Sequence, residues 1–237
     1  MQAGRGQIFV AIDTADFARA RHLATSASAL ADGLKLGLEF FCAHGPQGIR
    51  ALKEEVGLPL FLDLKLHDIP NTVAGALRAL LALAPAYMTL HCLGGGAMLR
   101  QGRDAMLSAC AALGIAPPKL LGVTLLTSHD AQDLPILGIT NSVSEEVLQL
   151  GSLAREAGLD GLVCSGHELH PLRQAMGQGM ILAVPGIRAT ETADDQRRTL
   201  DAGEARRRGA DILVVGRAVT QAEDVSAALR ALKSGMA

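Results

Sequence analysis

Residues 61–72 read FLDLKLHDIPNT, and the alternation in the first half of that run governs how the flanking chain is read. Successive side chains of a strand point to opposite faces, so Phe61, Asp63 and Lys65 share one face. Leu60, Leu62, Leu64 and Leu66 share the other, and four leucines on one side mark a face that packs under helices. The opposite face carries an acid and a base, which are costly inside a sheet unless they pair. A purely structural ion pair there gains little over apolar packing. Asp68 follows three residues after Lys65, just past the strand, and a third charge so placed favours chemistry over mere structure.

Similar runs recur on both sides. Short β-branched or leucine-rich segments at Gln7–Asp13, Gly33–Gly37, Pro59–Lys65, Tyr87–Leu93, Lys119–Leu126, Gly161–Ser165, Met180–Ile187 and Ala210–Arg217 predict eight strands. Helical periodicity follows them near 16–31, 38–56, 71–84, 97–113, 143–158, 167–176, 199–208 and 220–234. Strand–helix alternation requires crossover connections and hence a parallel sheet. Eight such units in 237 residues select an α/β fold of the (β/α)8 TIM-barrel type over an open doubly wound sheet. No linker or shift in composition interrupts the pattern, so residues 1–237 read as a single domain.

Composition narrows the partners. Basic residues number 22 and acidic residues 24, a net charge of −2, which argues against a nucleic-acid or anionic-membrane partner. Hydrophobic residues at 49% against 19% charged exclude a disordered chain, and 3% aromatics require an aliphatic core. No apolar run approaches the ~18 residues of a membrane span. The opening MQAGRGQIFVAIDTA has too short an apolar segment for a signal peptide, so a soluble, cytoplasmic protein is expected. Cys42, Cys92, Cys110 and Cys164 are scattered, with no C-x-x-C pair and no His at zinc spacing, and read as reduced, packed thiols.

The candidate site comes from strand ends. In QIFVAID, Phe9, Ala11 and Asp13 share a face, and in GLKLG, Lys35 sits between Leu34 and Leu36. Three adjacent strands thus bring Asp13, Lys35, Asp63 and Lys65 to the C-terminal mouth, where active sites of this barrel lie. Alternating charges keep both lysines protonated. His91, inward in YMTLHCL, fits equally a site member and a satisfied interior group. Two polar stretches after strands, Thr127–Ser142 and Arg188–Thr199, are longer than idle connections need be. Gly186 and Arg188 close ILAVPGIR, and Gly216 and Arg217 close ADILVVGR. Loops after the seventh and eighth strands commonly bind phosphate, with glycines admitting an anion to backbone N–H groups and arginine supplying a matched fork.

Asp63-x-Lys65-x-x-Asp68-Ile69-Pro70-Asn71-Thr72 resembles the signature of the orotidine 5′-monophosphate decarboxylase family. The likeness extends in order through AID, LKLGLEFF, VTLLTS, PGIR and VVGR, covering essentially the whole chain. It implies decarboxylation of orotidine 5′-monophosphate to UMP, the last step of pyrimidine synthesis, with no cofactor and no metal. Lys65 would protonate C6 within a network of Lys35, Asp63, Lys65 and Asp68. Asp68, Ile69 and Thr72 would reach the partner subunit's site, which implies a homodimer with shared active sites. Asp13 and Lys35 would hold the ribose hydroxyls, with Asp63 also beside the substrate. Thr127 would face the pyrimidine edge, with Ser128 as second candidate. Gln196, Gly216 and Arg217 would grip the phosphate, assisted by Arg188. Asp194-Asp195-Gln196 departs from the family's frequent Gly-Asp-Gln, which bears on the lid hinge and on Gln196. The alternatives are a phosphosugar decarboxylase or synthase, which shares the Asp-x-Lys-x-x-Asp core but lacks Ile-Pro-Asn-Thr, and a non-catalytic barrel binding a phosphorylated ligand.

Overall fold

The computed structural model describes residues 6–188 and 200–236, with Arg188 placed by its backbone. The elements run β1 (Gln7–Ile12), α1 (Phe17–Ala27), β2 (Gly33–Gly37), α2 (Leu38–Val56), β3 (Leu60–Leu66), α3 (Pro70–Leu80), β4 (Tyr87–His91), α4 (Gly95–Leu113) and β5 (Lys119–Val123). They continue through α5 (Asp133–Ile136), α6 (Val143–Glu156), β6 (Gly161–Val163), α7 (Leu169–Met176), β7 (Ile181–Val184), β8 (Ile187–Arg188), β9 (Leu200–Asp201), α8 (Ala202–Arg207), β10 (Ile212–Val215), α9 (Arg217–Thr220) and α10 (Val225–Gly235). β1 through β7 and β10 close into a barrel, every pairing parallel, while β8 pairs with β9 beside it.

Two apolar layers follow from the alternation. Ile8, Val10, Ile12, Leu60, Leu62 and Leu64 join the layer between sheet and helices. Phe9, Ala11, Phe61, Tyr87, Leu121, Ala183, Ile212 and Val214 fill the barrel's interior. The interior is plugged by rings in a chain with few of them. Phe9 meets Tyr87 edge-on with centroids 5.5 Å apart and Phe61 at 6.1 Å. Gly33 makes room for this plug, since a Cβ there would fall 2.1 Å from the Phe9 ring. With the interior closed by apolar packing, Lys35 of β2, Asp63 and Lys65 of β3 and Asp13 just past β1 all line one cavity above it.

Two strands stop short of their apolar runs for identifiable reasons. β4 stops at His91 because Cys92–Gly94 tightens into a 3₁₀ turn. β7 stops at Val184, where Pro185 has no N–H to offer the ladder and Gly186 takes φ 76°. The 38–56 pattern is interrupted at Gly45, with φ 60° ahead of Pro46. The expected helix over 199–208 begins only at Ala202, capped by Asp201, whose carboxylate accepts from the Glu204 N–H. The 220–234 pattern starts at Val225, after the Asp224 cap, and the short α9 precedes it. The long stretch after β5 contains one unexpected helical turn, α5.

Candidate active site

β2 and β3 pair Lys35 with Phe61 and Gly37 with Asp63, which sets the Asp63 side chain one step above Lys35 on the inner face. The Asp63 Oδ2 atom lies 2.9 Å from Lys65 Nζ and 3.4 Å from Lys35 Nζ. Lys35 Nζ is also 3.4 Å from Asp13 Oδ1. The four charges predicted at the mouth are therefore one connected row, Asp13–Lys35–Asp63–Lys65.

Burial decides how this row behaves. Asp63 and Lys35 have side chains 9% and 10% exposed. Burial by itself pushes the Asp63 carboxyl up, but the Lys35 and Lys65 ammoniums, with hydrogen bonds from Lys65 and Thr89, hold it below the usual carboxylate range. Burial likewise works against the Lys35 ammonium, and the Asp63 and Asp13 carboxylates outweigh it and raise the pKa above 10.5. Both groups stay charged at neutral pH because each compensates the other.

Strict alternation ends inside β3. Between the pairs Leu62–Met88 and Leu66–Leu90, four residues of β3 advance against two of β4, a bulge. Lys65 sits in this bulge at φ 48°, the left-handed region, which costs a non-glycine residue about 1–3 kcal/mol. Its side chain still lines the cavity, at 32% exposed. Thr89 spans the gap. Its Oγ accepts from the Lys65 N–H at 2.8 Å and donates to Asp63 Oδ1 at 3.1 Å. Sequence reading passed over this residue, although Tyr87, Thr89 and His91 alternate inward and a hydroxyl in an apolar strand beside β3 was a usable signal.

An open cavity gathers Asp13, Lys35, Asp63 and Lys65 with Gly186, Gly216 and Arg217. In the ring of strands, β3 and β7 are diametrically opposed, so the charged row and Gly186 flank the cavity from opposite sides. Thr127 lines it. Ser128 is exposed and is not among the lining residues. His91 does not join the cavity lining. It is buried, and with His67 stacked on it at 5.3 Å its pKa falls to about 4, through burial first and then the neighbouring His67, Lys65 and His129 charges. Cys164 also lines the cavity, and burial pushes its thiol well up, which keeps it a neutral packed group.

Three expected residues stand apart. Asp68 is exposed and its Oδ1 accepts from the Ile69 N–H at 2.6 Å, Ile69 is 67% exposed, and Thr72 is exposed at the start of α3. None of the three lines the cavity of its own chain. Gln196 and Asp194 lie outside the described residues, as does the Arg188 side chain.

Comparison with known proteins gives one consistent family. A model of the Orotidine 5'-phosphate decarboxylase / HUMPS family matches residues 6–232. The orotidine 5'-phosphate decarboxylase of Rhodospirillum rubrum is 47% identical over 230 residues, 97% of this chain and 93% of that protein. The orotidine 5'-phosphate decarboxylase of Gluconobacter oxydans is 47% identical over 234 residues, 98% of each. Among solved structures, orotidine 5'-phosphate decarboxylase from Lactobacillus acidophilus superposes with a TM-score of 0.82 at 34% identity, covering 97% of this chain and 98% of that one.

The coupled charges make the cost of breaking the row depend on pH. Asp63→Asn removes one partner of a buried pair, and urea unfolding between pH 5 and 8 is expected to show a loss of about 3–5 kcal/mol. The folded carboxyl titrates below its ordinary value of 3.8. Its contribution is therefore complete above that value and vanishes as pH falls through the lower folded one. The gap between wild type and Asp63→Asn should close in strong acid; a gap constant down to pH 2 would contradict the pairing.

Proposed function

The chain belongs to the Orotidine 5'-phosphate decarboxylase / HUMPS family, and we propose that it decarboxylates orotidine 5′-monophosphate to UMP without a cofactor. On this reading it is a carboxy-lyase of pyrimidine biosynthesis, a single barrel domain acting in the cytoplasm. The observation that carries the reading is the row of four charges ending in Lys65, 2.9 Å from a buried carboxylate at the cavity's mouth.

The chemistry needs such a row. Heterolysis of the C6–carboxylate bond releases CO₂ and leaves the electron pair on C6, in the plane of the pyrimidine, where the ring's π system cannot delocalise it. Stabilisation must then be electrostatic, from charges fixed before the reaction begins. The Lys65 ammonium, held beside Asp63, faces the developing anion and delivers its proton to C6, forming UMP; water then reprotonates the amine. Asp13 and Lys35 hold the ribose hydroxyls, and Thr127 faces the pyrimidine. Gly216 and Arg217 take the phosphate, with Gln196 and Arg188 from the stretch after β7. Phosphate binding lies away from the bond broken, so its energy serves orientation.

Asp68, Ile69 and Thr72 act in the site of a second copy of the chain. They follow β3 directly, yet none faces its own cavity. Leu38, Ile69 and Leu93, exposed by 54%, 67% and 41%, follow β2, β3 and β4 at the same end of the barrel and supply an apolar surface for a two-fold contact.

Loss of orotidine 5′-monophosphate absorbance on adding the protein, unchanged by EDTA, is the expected result. Failure to consume the nucleotide would refute the activity, and abolition by EDTA would favour a metal-dependent phosphosugar enzyme. The shared site has its own test. Lys65→Ala and Asp68→Ala dimers are unfolded, mixed in equal amounts and refolded, so that about half the dimers are mixed. Each mixed dimer carries one intact and one doubly damaged site, restoring roughly a quarter of all sites. No recovery despite demonstrated subunit exchange would show that Asp68 serves its own chain.

A further inference from the structure

We propose that Thr89 is a positioning residue for this decarboxylation, its hydroxyl locking Lys65 into the bulge and fixing which Asp63 oxygen faces the two ammoniums. The proposal rests on the functional reading above and adds a residue outside the charged row.

The hydroxyl occupies a gap that the backbone cannot fill. Where β3 bulges, the Lys65 N–H has left the regular ladder with β4, and Thr89 Oγ accepts it at 2.8 Å. A hydroxyl carries one proton and two lone pairs, so the same oxygen can accept once and donate once. It donates to Asp63 Oδ1 at 3.1 Å, which leaves Oδ2 directed at Lys65 and Lys35. One side chain thus grips both the backbone of the proton donor and the carboxylate that holds its ammonium. Thr89 is 1% exposed, so no bulk water stands ready to replace it.

Loss of the hydroxyl leaves a buried N–H and a buried carboxylate oxygen without their partner. Lys65 at φ 48° is then free to relax out of the left-handed region, and the Asp63 carboxylate is free to rotate. Either movement displaces Nζ from the position that the reaction requires. Asp13 follows β1, and Gly216 and Arg217 follow β10, so substrate contacts made there are untouched. The signature of positioning is therefore a fall in kcat with little change in KM.

Thr89→Val keeps the shape and removes the hydroxyl, and Thr89→Ser keeps the hydroxyl. With orotidine 5′-monophosphate, Thr89→Val is expected to lose roughly 10- to 100-fold in kcat, the scale of a misplaced catalytic group, with KM within about threefold. Thr89→Ser should stay within about threefold of wild type in both. Thr89→Ala, without added bulk, is read in the same way should the valine variant fail to fold. Hydrogen exchange of the Lys65 backbone amide supplies a readout independent of turnover, expected about tenfold faster in Thr89→Val than in wild type or Thr89→Ser. A wild-type protein inactive on the nucleotide would sink the functional reading while this exchange comparison still tests the grip on Lys65. Unchanged kcat in the valine and alanine variants, a kcat loss that serine shares, or unchanged amide exchange would each overturn the assignment.

Discussion

The Asp63 carboxylate is buried between two ammonium groups, and the rest of the site is arranged around that fact. A lone carboxylate in a barrel interior is costly enough that it protonates instead. Two lysines at 2.9 and 3.4 Å reverse the balance and keep it ionised. The dependence runs both ways, since buried Lys35 keeps its proton through Asp63 and Asp13. The whole arrangement sits above an aromatic plug of Phe9, Phe61 and Tyr87, which closes the barrel beneath it and confines the charges to one end.

Placing charge this way commits the backbone. β3 gives up two ladder positions to its bulge and puts Lys65 in a conformation that lysine rarely takes. Strain at a single residue persists only where neighbouring contacts over-determine it. Here those contacts are the Thr89 hydroxyl at the Lys65 N–H and the Asp63 carboxylate at its Nζ, one at each end of the residue. Fixing the ammonium before substrate arrives is what an electrostatic mechanism demands, because no reorganisation then remains for the moment of reaction.

Much of this was legible in the sequence. Period-two alternation around Asp63 and Lys65 placed the inner and outer faces of β1 and β3 correctly, because every outward position there is aliphatic and packs under helices. The convergence of Asp13, Lys35, Asp63 and Lys65 followed from the same rule. Strand ends were harder. The apolar runs continue through Leu93, Leu126 and Ile187, while Pro185, Gly186 and the turn at Cys92–Gly94 end the ladders on backbone grounds. Thr89 is only faintly legible, since a hydroxyl in a strand carries no charge and its two partners meet it through a bulge in the neighbouring strand that periodicity does not register. Spacing alone singles out Asp68, which is exposed and does not line the cavity of its own chain.

The central claim is that the Lys65 ammonium, fixed by Asp63, supplies both the charge and the proton for decarboxylation. The turnover of Lys65→Ala on orotidine 5′-monophosphate, with UMP binding measured beside it, tests this most directly. Losing charge stabilisation and proton delivery together should exceed the ~10²–10⁴-fold of acid–base catalysis alone, with UMP still bound. A folded Lys65→Ala enzyme that keeps a tenth of wild-type kcat would contradict the account.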